Sequence, residues 1–132
     1  MGKDFDRWNE AKKEAEHIAF DKFVHIREVW WCALGVNIGR EANGNEELFE
    51  RPALVLNKFN RDMVLVVPLT TTDKRTPYHF VFLDNNGEEV AAILSQLRLV
   101  STKRLKRYMF RMPDPIFDDI RAAVQKMIGS GR

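Results

Sequence analysis

The chain has 132 residues, of which 45% are apolar, 11% aromatic and 30% charged, with a formal net charge of +2, so it can bury one core of useful size and not two. A single cysteine, Cys32, excludes an internal disulfide and a cysteine-held metal cluster, and the three histidines His17, His25 and His79 show no ligand spacing, so neither metal nor cofactor is expected. No apolar run approaches the roughly 20 residues that span a bilayer, and the N-terminus lacks the apolar centre of a signal peptide, so the expected place is a reducing cytoplasm with no membrane contact.

The first twenty residues, MGKDFDRWNEAKKEAEHIAF, set Phe5, Trp8, Ala15, Ile18 and Ala19 at helical spacing between Lys and Glu residues, which predicts a helix packing on one stripe. Arg27 to Leu34, REVWWCAL, is rich in β-formers and runs into GVNIGREANGNEELFE, with Gly35, Gly39 and Gly44: a strand, then a long polar loop. PALVLNKF, an Asn60-Arg61-Asp62 turn and MVLVVPL read as an antiparallel hairpin with a buried inner half. YHFVFL is a further strand, closed by the DNNG turn at Asp84 to Gly87. EEVAAILSQLRLV continues as one long or bent strand, and RYMFRM as a shorter one. PDPIFDDIRAAVQKMIG ends the chain as a helix, with Asp114 as cap, Pro115 at the first position, and Ile116, Ile120, Val124 and Met127 as the buried stripe. Five or six short strands without βαβ alternation predict a mainly β fold (β plus α), a small, strongly bent antiparallel sheet or barrel with helices laid against it.

Charge is distributed unevenly along this plan. Ser95 to Met112, SQLRLVSTKRLKRYMFRM, carries Arg98, Lys103, Arg104, Lys106, Arg107 and Arg111 and no acid. Such a stretch can neutralise phosphates or serve as a solvated basic face, and both readings stay open. A second charge is more specific, because Arg51 stands at the mouth of the apolar run Pro52 to Leu56. A guanidinium at the start of a rigid strand presents a preorganised fork to an oxyanion, and Pro52 stiffens its backbone.

Three segments, in this order, carry a family resemblance. IGREANG running into RPALVL, the hairpin end VPLTTT, and AAILSQLRLVSTKRL together resemble the MazF/PemK toxins of bacterial toxin-antitoxin modules, over about Arg27 to Ile128. The resemblance implies a compact SH3-like barrel over residues 26–132, a homodimer and neutralisation by a cognate antitoxin. It also implies sequence-specific, metal-independent cleavage of single-stranded RNA in the bacterial cytoplasm. The helical extension, residues 1–25, lies outside the usual core of that family.

Metal-free RNA cleavage proceeds by attack of a ribose 2′-hydroxyl on the adjacent phosphorus, so the site must stabilise added charge on the phosphoryl oxygens and move two protons. By resemblance, Arg51 is the family's essential arginine, Thr70 its functional threonine, and Glu41 the acidic loop residue that can accept the 2′-hydroxyl proton. Thr71, Ser95, Gln96, Arg98 and His79 are the further candidates for RNA contact. Blander readings compete: a surface ion pair with Glu47 or Glu50 for Arg51, turn chemistry for Thr71 and Thr72, and a structural hydrogen bond within the sheet for His79. The chain departs from the family at Ser95, where several relatives carry an aspartate or glutamate just before the glutamine matching Gln96. A serine hydroxyl is no comparable acid near neutral pH. Trp30, Trp31, Phe49 and Phe59 can stack on unpaired bases, but most aromatics of so small a barrel form its core, and none is singled out. Cys32 reads as a small buried hydrophobe. Two other functions on the same barrel remain: a non-catalytic toxin that blocks a protein such as DNA gyrase, and a degenerate member that only binds RNA.

Overall fold

The computed structural model describes residues 23–35, 50–72 and 75–130. The expected N-terminal helix, the polar loop with Glu41, and Phe49 lie outside the described residues. Among the described residues seven strands follow one another: β1 (Glu28–Ala33), β2 (Glu50–Lys58), β3 (Met63–Thr70), β4 (His79–Leu83), β5 (Glu89–Ile93), β6 (Arg98–Ser101) and β7 (Leu105–Arg111). One helix, α1 (Asp114–Ser130), follows them among the described residues. Among the described residues no helix is long and apolar enough to cross a membrane.

Every strand pairing is antiparallel, and β3 is the hub. It pairs with β2 on one side; on the other it pairs with β6 through residues 63–66 and with β5 through Leu69 and Thr70. From β6 the chain passes through a tight 3-10 turn, Thr102–Arg104, into β7, which pairs with β1 at the opposite side of the sheet. The order β7-β1-β2-β3-β6 therefore curls back on itself, the bent, barrel-like sheet that the strand pattern predicts. The segment expected as one long or bent strand bends at Leu94–Gln96, where a second 3-10 turn separates β5 from β6. Leu94 is buried there, and its N–H donates to the Tyr78 carbonyl at 2.8 Å, which fixes the corner.

Two apolar clusters share the central hairpin. Leu54, Leu56, Val67 and Leu69 pack with Val29, Phe82, Ala92 and Leu94 under the helix residues Phe117, Ile120 and Val124. The alternate residues Ala53, Val55, Val64 and Val66 pack with Trp30, Cys32, Leu34, Val100 and Leu105. Burial on both faces explains why ALVL and VLVVPL show no polar alternation. On α1, Ile120 and Val124 are buried, while Ile116 and Met127 are partly so, and Phe117 joins the stripe.

Arg27 ties the helix to the sheet. Its backbone adopts φ 84°, a left-handed conformation that costs a non-glycine residue about 1–2 kcal/mol. Compensating contacts surround it: its N–H donates to the Val55 carbonyl at 2.9 Å, its Nε to the Met112 carbonyl at 3.1 Å, and its Nη1 lies 2.8 Å from Asp114 Oδ1. Asp114 is thus the first helical residue, its carboxylate held by Arg27 beside the positive end of the helix.

Cys32 is fully buried, and burial pushes its thiol from 9.0 up to about 11, against the opposing pull of Arg104, Arg98 and Lys106. Because the folded value is the higher one, the stability contributed by the protonated thiol is present below about pH 9 and lost as pH rises through about 11. The thiol should therefore resist alkylation at pH 8 in the folded protein and react at once in denaturant. Fast labelling under native conditions would contradict this placement.

Candidate functional site

Arg51 is the second residue of β2, and Thr70 is the last of β3. The β2–β3 ladder ends at the pair Ala53–Pro68, so Arg51 and Thr70 lie just past it at the same end of the hairpin, where Arg51 pairs with Cys32 of β1 and Thr70 with Ala91 of β5. Arg51 and Thr70 both line a cleft of about 470 Å³ at this end of the sheet. Its apolar wall is Trp31, Pro52, Leu69, Phe82, Val90, Met109 and Phe110, and its polar groups come from Glu50, Arg51, Thr70, Thr71 and Asp84.

Arg51 is half-buried, and the loss of solvent pushes its guanidinium below the ordinary arginine value. An arginine so placed still carries its charge at neutral pH, and a partly desolvated cation attracts an oxyanion more strongly than a solvated one. Thr70 Oγ1 accepts a hydrogen bond from the Thr72 N–H at 3.2 Å, which leaves its own O–H to donate elsewhere. The strand exit is held by Arg75, which donates to the Thr72 carbonyl and lies 3.5 Å from Glu89 Oε1. Thr71, exposed, sits between these two fixed points.

Across the cleft, Trp31 Nε1 donates to Glu50 Oε1 at 2.7 Å, and the Arg107 guanidinium lies 5.7 Å from the indole centroid. Asp84 Oδ1 accepts the N–H groups of Asn86 and Glu88, both at 2.9 Å, and so builds the turn in which Gly87 takes φ 81°. Among the described residues no three His, Cys, Asp or Glu side chains gather as a metal site.

Of the residues singled out in the sequence, the structure brings together Arg51, Thr70 and Thr71. Ser95 and Gln96 lie exposed on the 3-10 turn, and His79 and Arg98 lie elsewhere; none of these four lines the cleft. His79 Nδ1 accepts the Thr76 N–H at 3.1 Å and lies 2.8 Å from Thr76 Oγ1, which leaves its ring proton on Nε2. Arg98 Nη1 donates to the Leu34 carbonyl at 3.0 Å, and Arg104 Nη1 to the Ala33 carbonyl at 3.2 Å. Two members of the basic stretch therefore clamp the end of β1. Glu41 lies outside the described residues.

The motifs missed Trp31, Glu50 and Asp84 as cleft residues. One signal for Trp31 was available: adjacent tryptophans in a strand point to opposite faces, so Trp30 and Trp31 cannot both fill one core. Trp30 is the buried one. Asp84 reads only as a turn residue, and its return to the cleft depends on the pairing of β4 with β5.

Among the described residues, a curled seven-stranded antiparallel sheet with a covering helix, and a cleft lined by Arg51, Thr70 and Thr71 together with aromatic side chains, define a small SH3-like barrel protein. The same fold is found in a MazF from Deinococcus radiodurans, at 18% identity over 80% of this chain and 96% of that one, with a TM-score of 0.59. A MazE-MazF complex from the same organism matches at 18% identity over 83% and 100%, with a TM-score of 0.64. An endoribonuclease in complex with its cognate antitoxin, from a Mycobacterial species, matches at 16% identity over 83% and 99%, with a TM-score of 0.61. No curated protein matches the chain significantly. Residues 26–128 match the family of PemK-like, MazF-like toxins of type II toxin-antitoxin systems, and the chain belongs to that family.

Proposed function

We propose that the protein is a sequence-specific, metal-independent endoribonuclease toxin that cleaves single-stranded RNA by attack of a 2′-hydroxyl on the adjacent phosphorus. The observation that carries this reading is that half-buried Arg51 and Thr70, at neighbouring ends of β2 and β3, line one cleft. In this mechanism the Arg51 guanidinium stabilises the charge that accumulates on the phosphoryl oxygens, and the Thr70 hydroxyl donates to one of them. Glu41, assigned by family resemblance, accepts the 2′-hydroxyl proton. Ser95 supplies no comparable acid and does not line the cleft, so the leaving 5′-oxygen takes its proton from another group or from water.

In this reading the barrel domain carries the activity and the N-terminal extension is separate from it, with Val24, fully buried beside Trp30 and Cys32, counted with the barrel and not with the extension. The protein acts in the bacterial cytoplasm. Two of the similar structures hold a toxin with its antitoxin, which supports a cognate antitoxin as partner here. A homodimer completes the RNA groove. Light scattering at micromolar concentration should give the mass of two chains; a fully active monomer would contradict the dimer. The purified protein should shorten a single-stranded RNA in the presence of chelator. Intact RNA over a wide range of sequences would overturn the enzymatic reading.

A further inference from the structure

Trp31 is unusual among the cleft's aromatic residues because its indole is restrained from two sides. Glu50 Oε1 accepts its N–H at 2.7 Å, and Arg107, its cross-strand neighbour in the β1–β7 register, lies over the ring. Arg107 does not line the cleft whereas Trp31 does, so the indole is held from outside and offered inward. In β2 its partner is Pro52, the residue after Arg51. Arg51 and Trp31 line the same cleft, which brings the indole and the guanidinium to one binding space. An exposed tryptophan would ordinarily lose rotameric freedom on binding a ligand; this one has already lost it.

Glu50 supplies a second element. Its Oε1 is committed to the indole, and among the described residues Oε2 has no partner, on an exposed side chain that lines the cleft. A carboxylate oxygen only accepts hydrogen bonds. It favours a base edge that offers an exocyclic amino group, as adenine, cytosine and guanine do. Uracil flanks its single N–H with two carbonyls, which repel the carboxylate.

We propose that Trp31 and Glu50 form a base reader: the indole stacks on one unpaired base while Oε2 accepts from its amino group, next to the phosphate held by Arg51. The reader rests on the ribonuclease reading and adds to it a stacking residue and a base preference, against uracil, at one position of the substrate.

The test uses the full chain and short single-stranded oligonucleotides with 2′-O-methyl riboses, which cannot be cleaved, followed by fluorescence anisotropy. Wild type should bind oligo-A and oligo-C more tightly than oligo-U. Trp31→Ala should weaken binding to all three on the order of 10-fold, and Trp31→Phe should weaken it less, since a smaller ring still stacks. In Glu50→Gln the carbonyl still accepts the indole N–H and an amide NH2 replaces Oε2, so the preference should move toward oligo-U while the melting temperature stays unchanged. Unaltered affinity in both Trp31 variants, with unaltered ranking in Glu50→Gln, overturns the reader. If wild type still cleaves RNA in that case, the ribonuclease reading stands without it. Binding that responds as expected in a protein that cuts no RNA supports the reader and overturns the ribonuclease reading. Absence of oligonucleotide binding by wild type overturns the reader outright.

Discussion

Arg51→Ala is expected to lower cleavage of single-stranded RNA by on the order of 100-fold or more while leaving the melting temperature nearly unchanged. Both halves of that expectation follow from its position. The side chain emerges at the start of β2, ahead of the fully buried run that begins at Ala53, so its removal opens no cavity in either apolar cluster. Partial burial of its charge carries a desolvation cost, visible in its lowered pKa, and alanine removes that cost along with the charge. The expected loss therefore falls on the transition state, in which the phosphoryl group carries more negative charge than in the bound substrate. Arg51→Lys should recover only part of the activity, because a point charge does not reproduce the two-pronged fork. Single-turnover kinetics together with thermal melts separate the two effects; near-normal cleavage by Arg51→Ala would remove this residue from the mechanism.

Leu54→Ala is expected to have the opposite signature. Leu54 is among the largest fully buried side chains, set between Val29 of β1 and Val67 of β3. Its truncation removes contacts from the cluster that joins the sheet to α1 and leaves a cavity, at a cost of roughly 2–5 kcal/mol. For a chain of this size that corresponds to a fall in melting temperature on the order of 10 °C. Leu99→Ala is the matched control: Leu99 is about half-exposed on β6, and its loss should stay within roughly 0.5 kcal/mol. Similar melting temperatures for the two variants would contradict the assignment of the core.

The hairpin and the closing helix were legible because their signals are local. PALVLNKF and MVLVVPL are β-favouring runs around a polar turn, and the α1 stripe repeats at helical spacing. What was not legible is long-range. The corner at Leu94–Gln96 lies within a stretch of strand-forming residues, and it is fixed by a hydrogen bond to Tyr78, sixteen residues away. Arg51 stood out as a charge at the mouth of an apolar run, whereas Thr70 and Thr71 were chosen through family motifs; that all three line one cleft follows from how β2 and β3 pair. The basic stretch illustrates the same point. Its composition leaves a phosphate-binding face and a solvated face both open, and only the structure shows that Arg98 and Arg104 end on backbone carbonyls of Leu34 and Ala33 and that Arg107 lies over Trp31. Where a long side chain ends is decided by the element packed against it, which a linear pattern does not record.

The central claim is chemical: the group that attacks phosphorus is the RNA's own 2′-hydroxyl. The most direct measurement is mass spectrometry of the products from a single-stranded RNA incubated with the purified protein in chelator, alongside the same RNA carrying one 2′-deoxyribose on the 5′ side of the cleaved bond. Upstream fragments ending in a 2′,3′-cyclic phosphate, and an uncut 2′-deoxy substrate, are the predicted result. Fragments ending in a 3′-hydroxyl that form only after a divalent metal is added, with the 2′-deoxy substrate cut equally well, would contradict it.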